Sequence, residues 1–170
     1  RRLKTLGTAF SLQANRYLMI LWKSAPIKPS KSESLLMIKY MLDTNIVIYI
    51  IKRRPIEILE KFNANVGRMV ISSITLAELM HGAEKSQLVE KNTRAVEDFS
   101  SRLDVLNYDD KAAFHYGSIR SDLEKKRTPI GVNDLHIAGH ARSAGLVLVT
   151  NNECEFKRVN GLIVENWVAA

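Results

Sequence analysis

The stretch IKYMLDTNIVI, residues 38–48, carries a short, mostly apolar run that ends on one carboxylate, Asp43, before apolar residues resume at Ile46. A run this short suits a buried strand over 38–42, and the segment 45–52 after it reads as a short helix or turn. The same alternation continues down the chain. Pro55 is placed to open a helix through PIEILEKFNA, where its missing N–H is harmless. RMVIS at 68–72 is a second strand, Thr75 a candidate cap for the helix TLAELMHGAEKS, and 89–103 a charged amphipathic helix. DVLNY supplies a third strand. From Asp109 to Arg127 the segment opens on two acids and closes on Lys125, Lys126 and Arg127, matching the helix dipole, while Ala112, Tyr116, Ile119 and Leu123 form one apolar stripe. Asn133 or Asp134 is expected to cap the next helix, Gly145 to stop it, and LVLVT and 162–164 to form the last strands. Strands separated by helices predict a three-layer α/β domain. Its central, mainly parallel sheet is flanked by helices, and its ligand crevice lies at the carboxyl ends of the strands.

The 170 residues, 46% hydrophobic and 25% charged, have the composition of one globular domain. A net charge of +7 invites a nucleic-acid reading, but residues 1–36 hold seven basic residues and one acid, which leaves residues 37–170 at +1. Bulk charge therefore gives the domain no case for RNA. Residues 1–36, which include the Pro, Ser and Lys stretch SAPIKPSKSES, are assigned as an extension or linker outside the fold, with a transient helix around 13–23. The domain is assigned to 37–170; the competing reading of the first segment is an extra helix docked on it. YLMILW, residues 17–22, is too short for a signal-peptide core and is closed by Lys23. No run of about 18 apolar residues exists to cross a bilayer. Cys154 stands alone, which excludes an internal disulfide and multi-cysteine metal sites and makes the cytoplasm the expected compartment.

The acids fall at telling places. Asp43 ends the first strand, Glu78 lies one turn into the helix after the second, and Asp134 starts the helix leading to LVLVT. Asn151 and Asn152 follow that strand, with Glu153 and Glu155 behind them. A parallel sheet brings such positions to one end, where converging carboxylates must either hold a proton or recruit a cation. A hard divalent ion such as Mg²⁺ takes oxygen ligands, is commonly held by few carboxylates together with a phosphate, and polarises a phosphoryl oxygen. Each acid also has a simpler reading: a turn or cap for Asp43 and Asp134, a solvated side chain for Glu78.

MLDTNIVI, the glutamate in SSITLAELMHGAEKS, GVNDLHIAGHARSAGL and LVTNNECEF stand in the order of the motifs of PIN-domain ribonucleases. With GLIVENW closing the chain, they most closely resemble the VapC-type toxins of bacterial toxin-antitoxin modules, over Met37 to about Trp167. The resemblance implies that Asp43, Glu78 and Asp134 are the metal-binding and catalytic acids, that Thr44 and Asn45 shape the loop fixing Asp43, and that Thr150 meets water or phosphate. The family's fourth acid commonly follows the last central strand as T-N-D, whereas this chain has Thr150, Asn151 and Asn152. Asn152 carries no charge but can still orient a water, and Glu153 or Glu155, with Glu155 favoured, is left to supply the carboxylate. One firmly bound Mg²⁺, or Mn²⁺ in its place, is therefore expected rather than two. The resemblance further implies single-strand-specific endoribonuclease activity, a homodimer, and a cognate VapB-type antitoxin whose tail enters the active-site groove. Initiator tRNA, cut in its anticodon loop, is the substrate it suggests.

Other features admit two readings each. His136 and His140 have zinc-ligand spacing, but Ile137 stands where the zinc-protease pattern needs glutamate, so a packed or surface pair fits better. Arg142 suits an RNA phosphate or its own helix C-terminus equally. Lys52, Arg53 and Arg54, and Lys125 to Arg127, are basic rims for RNA or solvated helix ends. Tyr40, Tyr49 and Tyr108 read as packing residues before base-stacking ones. Two functions remain: a metal-dependent endoribonuclease toxin, or a catalytically weak binding module of the same fold, acting through its antitoxin or as an operon co-repressor, which Asn152 favours. A DNA flap nuclease is disfavoured because the chain lacks the extra domains such enzymes carry.

Overall fold

In the computed structural model, residues 38–53 and 55–168 are described. The extension 1–36, its helix around 13–23, the start of the domain at Met37 and the third residue of the first basic rim, Arg54, lie outside them. β1 (Tyr40–Leu42) is buried at all three positions, and its side chains alternate: Tyr40 and Leu42 enter one apolar cluster, Met41 the other. β2 (Met69–Ser72) and β4 (Val147–Val149) divide the same way, with Met69, Ile71, Val147 and Val149 on the first side and Val70 and Leu148 on the second. Strands covered on both faces read as continuous apolar runs, which is why these segments showed no polar face in the sequence.

With β3 (Asp104–Leu106) and β5 (Val164–Glu165) these strands form a sheet in the order β3-β2-β1-β4-β5, every pair parallel. The chain builds outward from β1 to β3, then returns to the other side of β1 for β4 and β5. That reversal opens a crevice between the carboxyl ends of β1 and β4, where open parallel sheets bind ligands. The first cluster is completed by α1 (Thr44–Lys52), α2 (Glu57–Ala64), α3 (Ser73–Glu84) and α4 (Val89–Ser100), and the second by α5 (Asp110–Lys125), α6 (Val132–Ser143) and the short α7 (Glu153–Phe156). The expected three layers are present.

α5 carries its stripe as expected, with Ala112, Ile119 and Leu123 buried and Asp109 capping it by accepting from the Ala112 N–H at 2.9 Å. It packs on α6 through Gly139, where a Cβ would stand 2.9 Å from the Tyr116 backbone nitrogen and 3.0 Å from the Ala112 carbonyl oxygen. Gly145 ends α6 with φ of 65°. Three helix starts differ from the sequence reading. Pro55 lies in the turn ahead of α2, whose start is tightened by the Leu59 N–H on the Ile56 carbonyl at 3.0 Å. Thr75 is not a cap, because β2 runs straight into α3: Ser72 Oγ accepts from the Ile74 N–H at 3.1 Å, and Thr75 is buried inside the first turn. α6 begins behind Gly131, with no side-chain cap, and Asn133 and Asp134 fall within its first turn. Among the described residues no helix is long and apolar enough to cross a membrane.

Candidate active site

Asp43 ends β1 and caps α1, so its backbone is extended while its carboxylate turns back over the helix start. Oδ1 accepts from the Thr44 N–H at 2.7 Å and Oδ2 from the Thr150 hydroxyl at 2.8 Å, while the Asp43 N–H donates to the Val149 carbonyl at 2.9 Å. The simple capping role and the site position thus coincide in one residue. Although 2% exposed, Asp43 has no ion-pair partner among the described residues. Burial pushes its pKa from 3.8 to about 6, aided by the charge of Glu78 and opposed by the donors Thr150, Thr44 and the Asn45 backbone.

Glu78 reaches the same place from α3. Its Oε2 accepts from the Thr44 hydroxyl at 2.5 Å and its Oε1 from the Asn133 amide at 2.8 Å. Asp134, in the first turn of α6, is raised to about 7, first by burial and then by Asp43, by a hydrogen bond that Asp134 must be protonated to share with Glu155, and by Glu78. Glu155 also accepts from the Gly131 N–H at 3.4 Å. Asn152 donates to Asp134 Oδ2 at 3.4 Å, and its own N–H is held by Thr150 Oγ1 at 2.9 Å. The four carboxylates Asp43, Glu78, Asp134 and Glu155 therefore share one electrostatic environment at the β1–β4 crevice, and among the described residues none forms an ion pair.

The other expected residues divide. Glu153 turns away, bonded to Lys157 at 2.5 Å and to the Asn166 amide at 2.8 Å. Thr150 is fully buried, and its hydroxyl serves Asp43 and Asn152, so it positions those groups instead of meeting phosphate. Thr44 ties Asp43 to Glu78, and Asn45 contributes its backbone N–H. Arg142 is engaged within the fold, away from the carboxylates. It sits at the far end of α6, where Nε donates to His115 Nδ1 at 3.0 Å and the guanidinium donates to the Asn160 and His115 carbonyls. Eight residues of helix place it about 12 Å along the axis from Asp134.

The histidines are packed. His136 Nδ1 meets the Tyr108 hydroxyl at 3.0 Å and its ring stacks on Tyr116, while buried His140 holds Ser72 Oγ at 2.9 Å. Burial lowers both pKa values. Tyr40 packs edge-on against Trp167, and Tyr49 accepts from the Asn151 amide at 3.1 Å. Sequence reasoning weighed Asn133 only as a cap and missed its contact with Glu78. The signal was its place beside Asp134 at a helix start.

The donor set is all oxygen, carries several mutually repelling carboxylates, and has no ion pair to neutralise them among the described residues. That suits a hard cation and no soft one. Among the described residues no three His, Cys, Asp or Glu side chains come close enough to ligate one ion together. The residues accordingly fit an ion held directly by one or two carboxylates and otherwise through water, the usual manner of Mg²⁺.

A family model for the PIN domain matches residues 40–162. The chain is 61% identical over 132 residues to ribonuclease VapC2 of Haemophilus influenzae, covering 78% of this chain and all of that protein. It is 56% identical over 131 residues to the tRNA(fMet)-specific endonuclease VapC of Shigella flexneri, covering 77% of this chain and 99% of that one. Among solved structures, the DNA-bound VapBC of Salmonella typhimurium has a chain that matches with a TM-score of 0.75 and 56% identity, over 77% of this chain and 99% of that one.

Proposed function

Because the chain belongs to the PIN-domain family, and within it to the VapC ribonucleases, we propose that it is the endoribonuclease toxin of a toxin-antitoxin module, hydrolysing RNA with a divalent cation, Mg²⁺ or Mn²⁺. The observation that carries this reading is that Asp43, Glu78, Asp134 and Glu155 lie close enough to act on one another's charge with no ion pair to any of them among the described residues. Such an arrangement lifts the pKa of two acids and is of no use to the fold alone.

On this reading Asp43 and Asp134 would hold the ion directly, with Glu78 and Glu155 beside them. A cation bound there supplies positive charge against the phosphate and polarises its non-bridging oxygen. Thr44 and Thr150 orient Asp43 and Glu78 through donors that carry no charge of their own. The raised pKa of Asp134 means that a cation bound beside it would compete with a proton for its carboxylate. The Asn152 amide lies against Asp134 and is positioned to orient a water or a phosphate oxygen.

Initiator tRNA is the proposed substrate, supported by 56% identity to a relative named for that cleavage, along nearly all of that protein's length. A VapB-type antitoxin is the proposed partner. The solved relative is a VapBC complex, and here an apolar groove of about 340 Å³, walled by Ile48, Ile51, Leu79 and Val96, opens beside Glu78. A homodimer is proposed from the resemblance alone.

The test is direct. Purified protein with Mg²⁺ should cut total cellular RNA at ends that map to one tRNA loop, EDTA should stop it, and Asp43→Ala should be inactive. Equal inactivity of the parent and Asp43→Ala on a tRNA panel, with Mg²⁺ and with Mn²⁺, would leave the binding-module reading in its place.

A further inference from the structure

Both oxygens of Glu78 are held by side-chain donors from other helices: Oε2 by the Thr44 hydroxyl at the start of α1, Oε1 by the Asn133 amide at the start of α6. Asn133 adjoins Asp134, so its bond to Glu78 ties the α3 carboxylate to the α6 carboxylate across 55 positions of sequence. Asn133 itself is exposed, and its amide makes no other hydrogen bond among the described residues. Packing gives it no evident duty.

We infer that Asn133 is a positioning residue, which fixes the orientation of Glu78 and its spacing from Asp134 so that a divalent cation meets carboxylates already in place. This rests on the cation-dependent reading given above. The chemistry of the amide suits the task. A lysine there would orient Glu78 but neutralise the charge that attracts the ion, whereas an amide donates a hydrogen bond and leaves the carboxylate its full charge. Each Glu78 oxygen keeps a lone pair free while its rotation is restrained. Groups that hold a metal's ligands in this way commonly set affinity by factors of about 10–100.

The experiment titrates Mn²⁺ alone into parent, Asn133→Ala, Asn133→Gln and Glu78→Gln proteins by calorimetry, alongside thermal denaturation and RNA cleavage as a function of Mg²⁺. Asn133→Ala should weaken Mn²⁺ binding about 10-fold or more and raise the half-saturating Mg²⁺ by a similar factor. The cleavage rate at saturating Mg²⁺ and the Tm should stay near those of the parent. Asn133→Gln, which restores an amide on a longer stem, should recover part of the affinity. If Asn133→Ala binds Mn²⁺ like the parent while Glu78→Gln does not, the positioning role fails and the nuclease reading stands. A loss of Tm in step with affinity, unrelieved by Asn133→Gln, overturns it in favour of a purely structural contact. A parent protein that neither binds Mn²⁺ nor cuts RNA removes both.

Discussion

Replacing Asp43 by asparagine should make the cation-free protein more stable while abolishing its activity. The carboxyl is raised from 3.8 to about 6 in the folded chain, chiefly by burial, so the folded state holds that proton more tightly than the unfolded state does. Between those two values stability falls as pH rises, and above about 6 the whole penalty is present. A shift of that size corresponds to about 3 kcal/mol, an upper figure because an amide accepts less strongly from the Thr44 N–H and the Thr150 hydroxyl. A gain of about 1–3 kcal/mol near neutral pH would raise Tm by roughly 5 °C in a domain of this size. The assay is thermal denaturation of parent and Asp43→Asn in EDTA across a pH series. The variant's advantage should be full near neutrality, be mostly lost by about pH 4, and vanish about one pH unit below 3.8, where the parent's carboxyl is protonated in both states. Added Mg²⁺ should then stabilise the parent and leave the variant unmoved, since only a ligand bound to the folded state shifts the equilibrium. A variant no more stable than its parent at neutral pH, or an advantage that persists in acid, would refute the account of a strained buried carboxylate.

Three further outcomes follow from particular contacts. Glu155→Gln should slow RNA cleavage about 10-fold or more, by analogy with other groups that support a metal site, whereas Glu153→Gln, whose partners are Lys157 and Asn166, should leave the rate unchanged in the same assay. Gly139→Ala would drive a methyl against the α5 backbone, and urea denaturation should show a loss of about 1–3 kcal/mol. Arg142→Ala removes the clamp on His115 and Asn160, so it should lower stability by about 1–3 kcal/mol and leave the dependence of cleavage on RNA concentration as it was.

The sheet was legible because its strands are short, apolar and bounded, and because Asp43 marks where β1 stops. Strand order was not, since nothing local says that β1 lies between β2 and β4. The helix starts at Thr75 and Asn133 were misjudged for one reason: residues with capping chemistry were taken as caps, when β2 passes into α3 without a loop and Asn133 reaches across to Glu78. Asp43, Glu78 and Asp134 could be proposed from their places relative to strands. The partition of Glu153 from Glu155 depends on which face of the single turn of α7 meets the crevice, and spacing of two residues cannot decide that. For Arg142 the sequence left an RNA phosphate and the helix C-terminus equally open, and only the packed helices show its guanidinium bonded to His115 and Asn160.

The bond between Thr150 and Asp43 joins positions 107 residues apart, and the backbone pairing of Asp43 with Val149 is as remote. The first strand waits in the middle of the sheet for a neighbour that is synthesised late, and long-range contacts of this kind form slowly. A polypeptide still emerging from the ribosome, or one cut short before β4, lacks half of the crevice. On the proposed reading, cleavage therefore waits for the last third of the chain, which brings Asp134, Thr150, Asn152 and Glu155 to a strand that was made first.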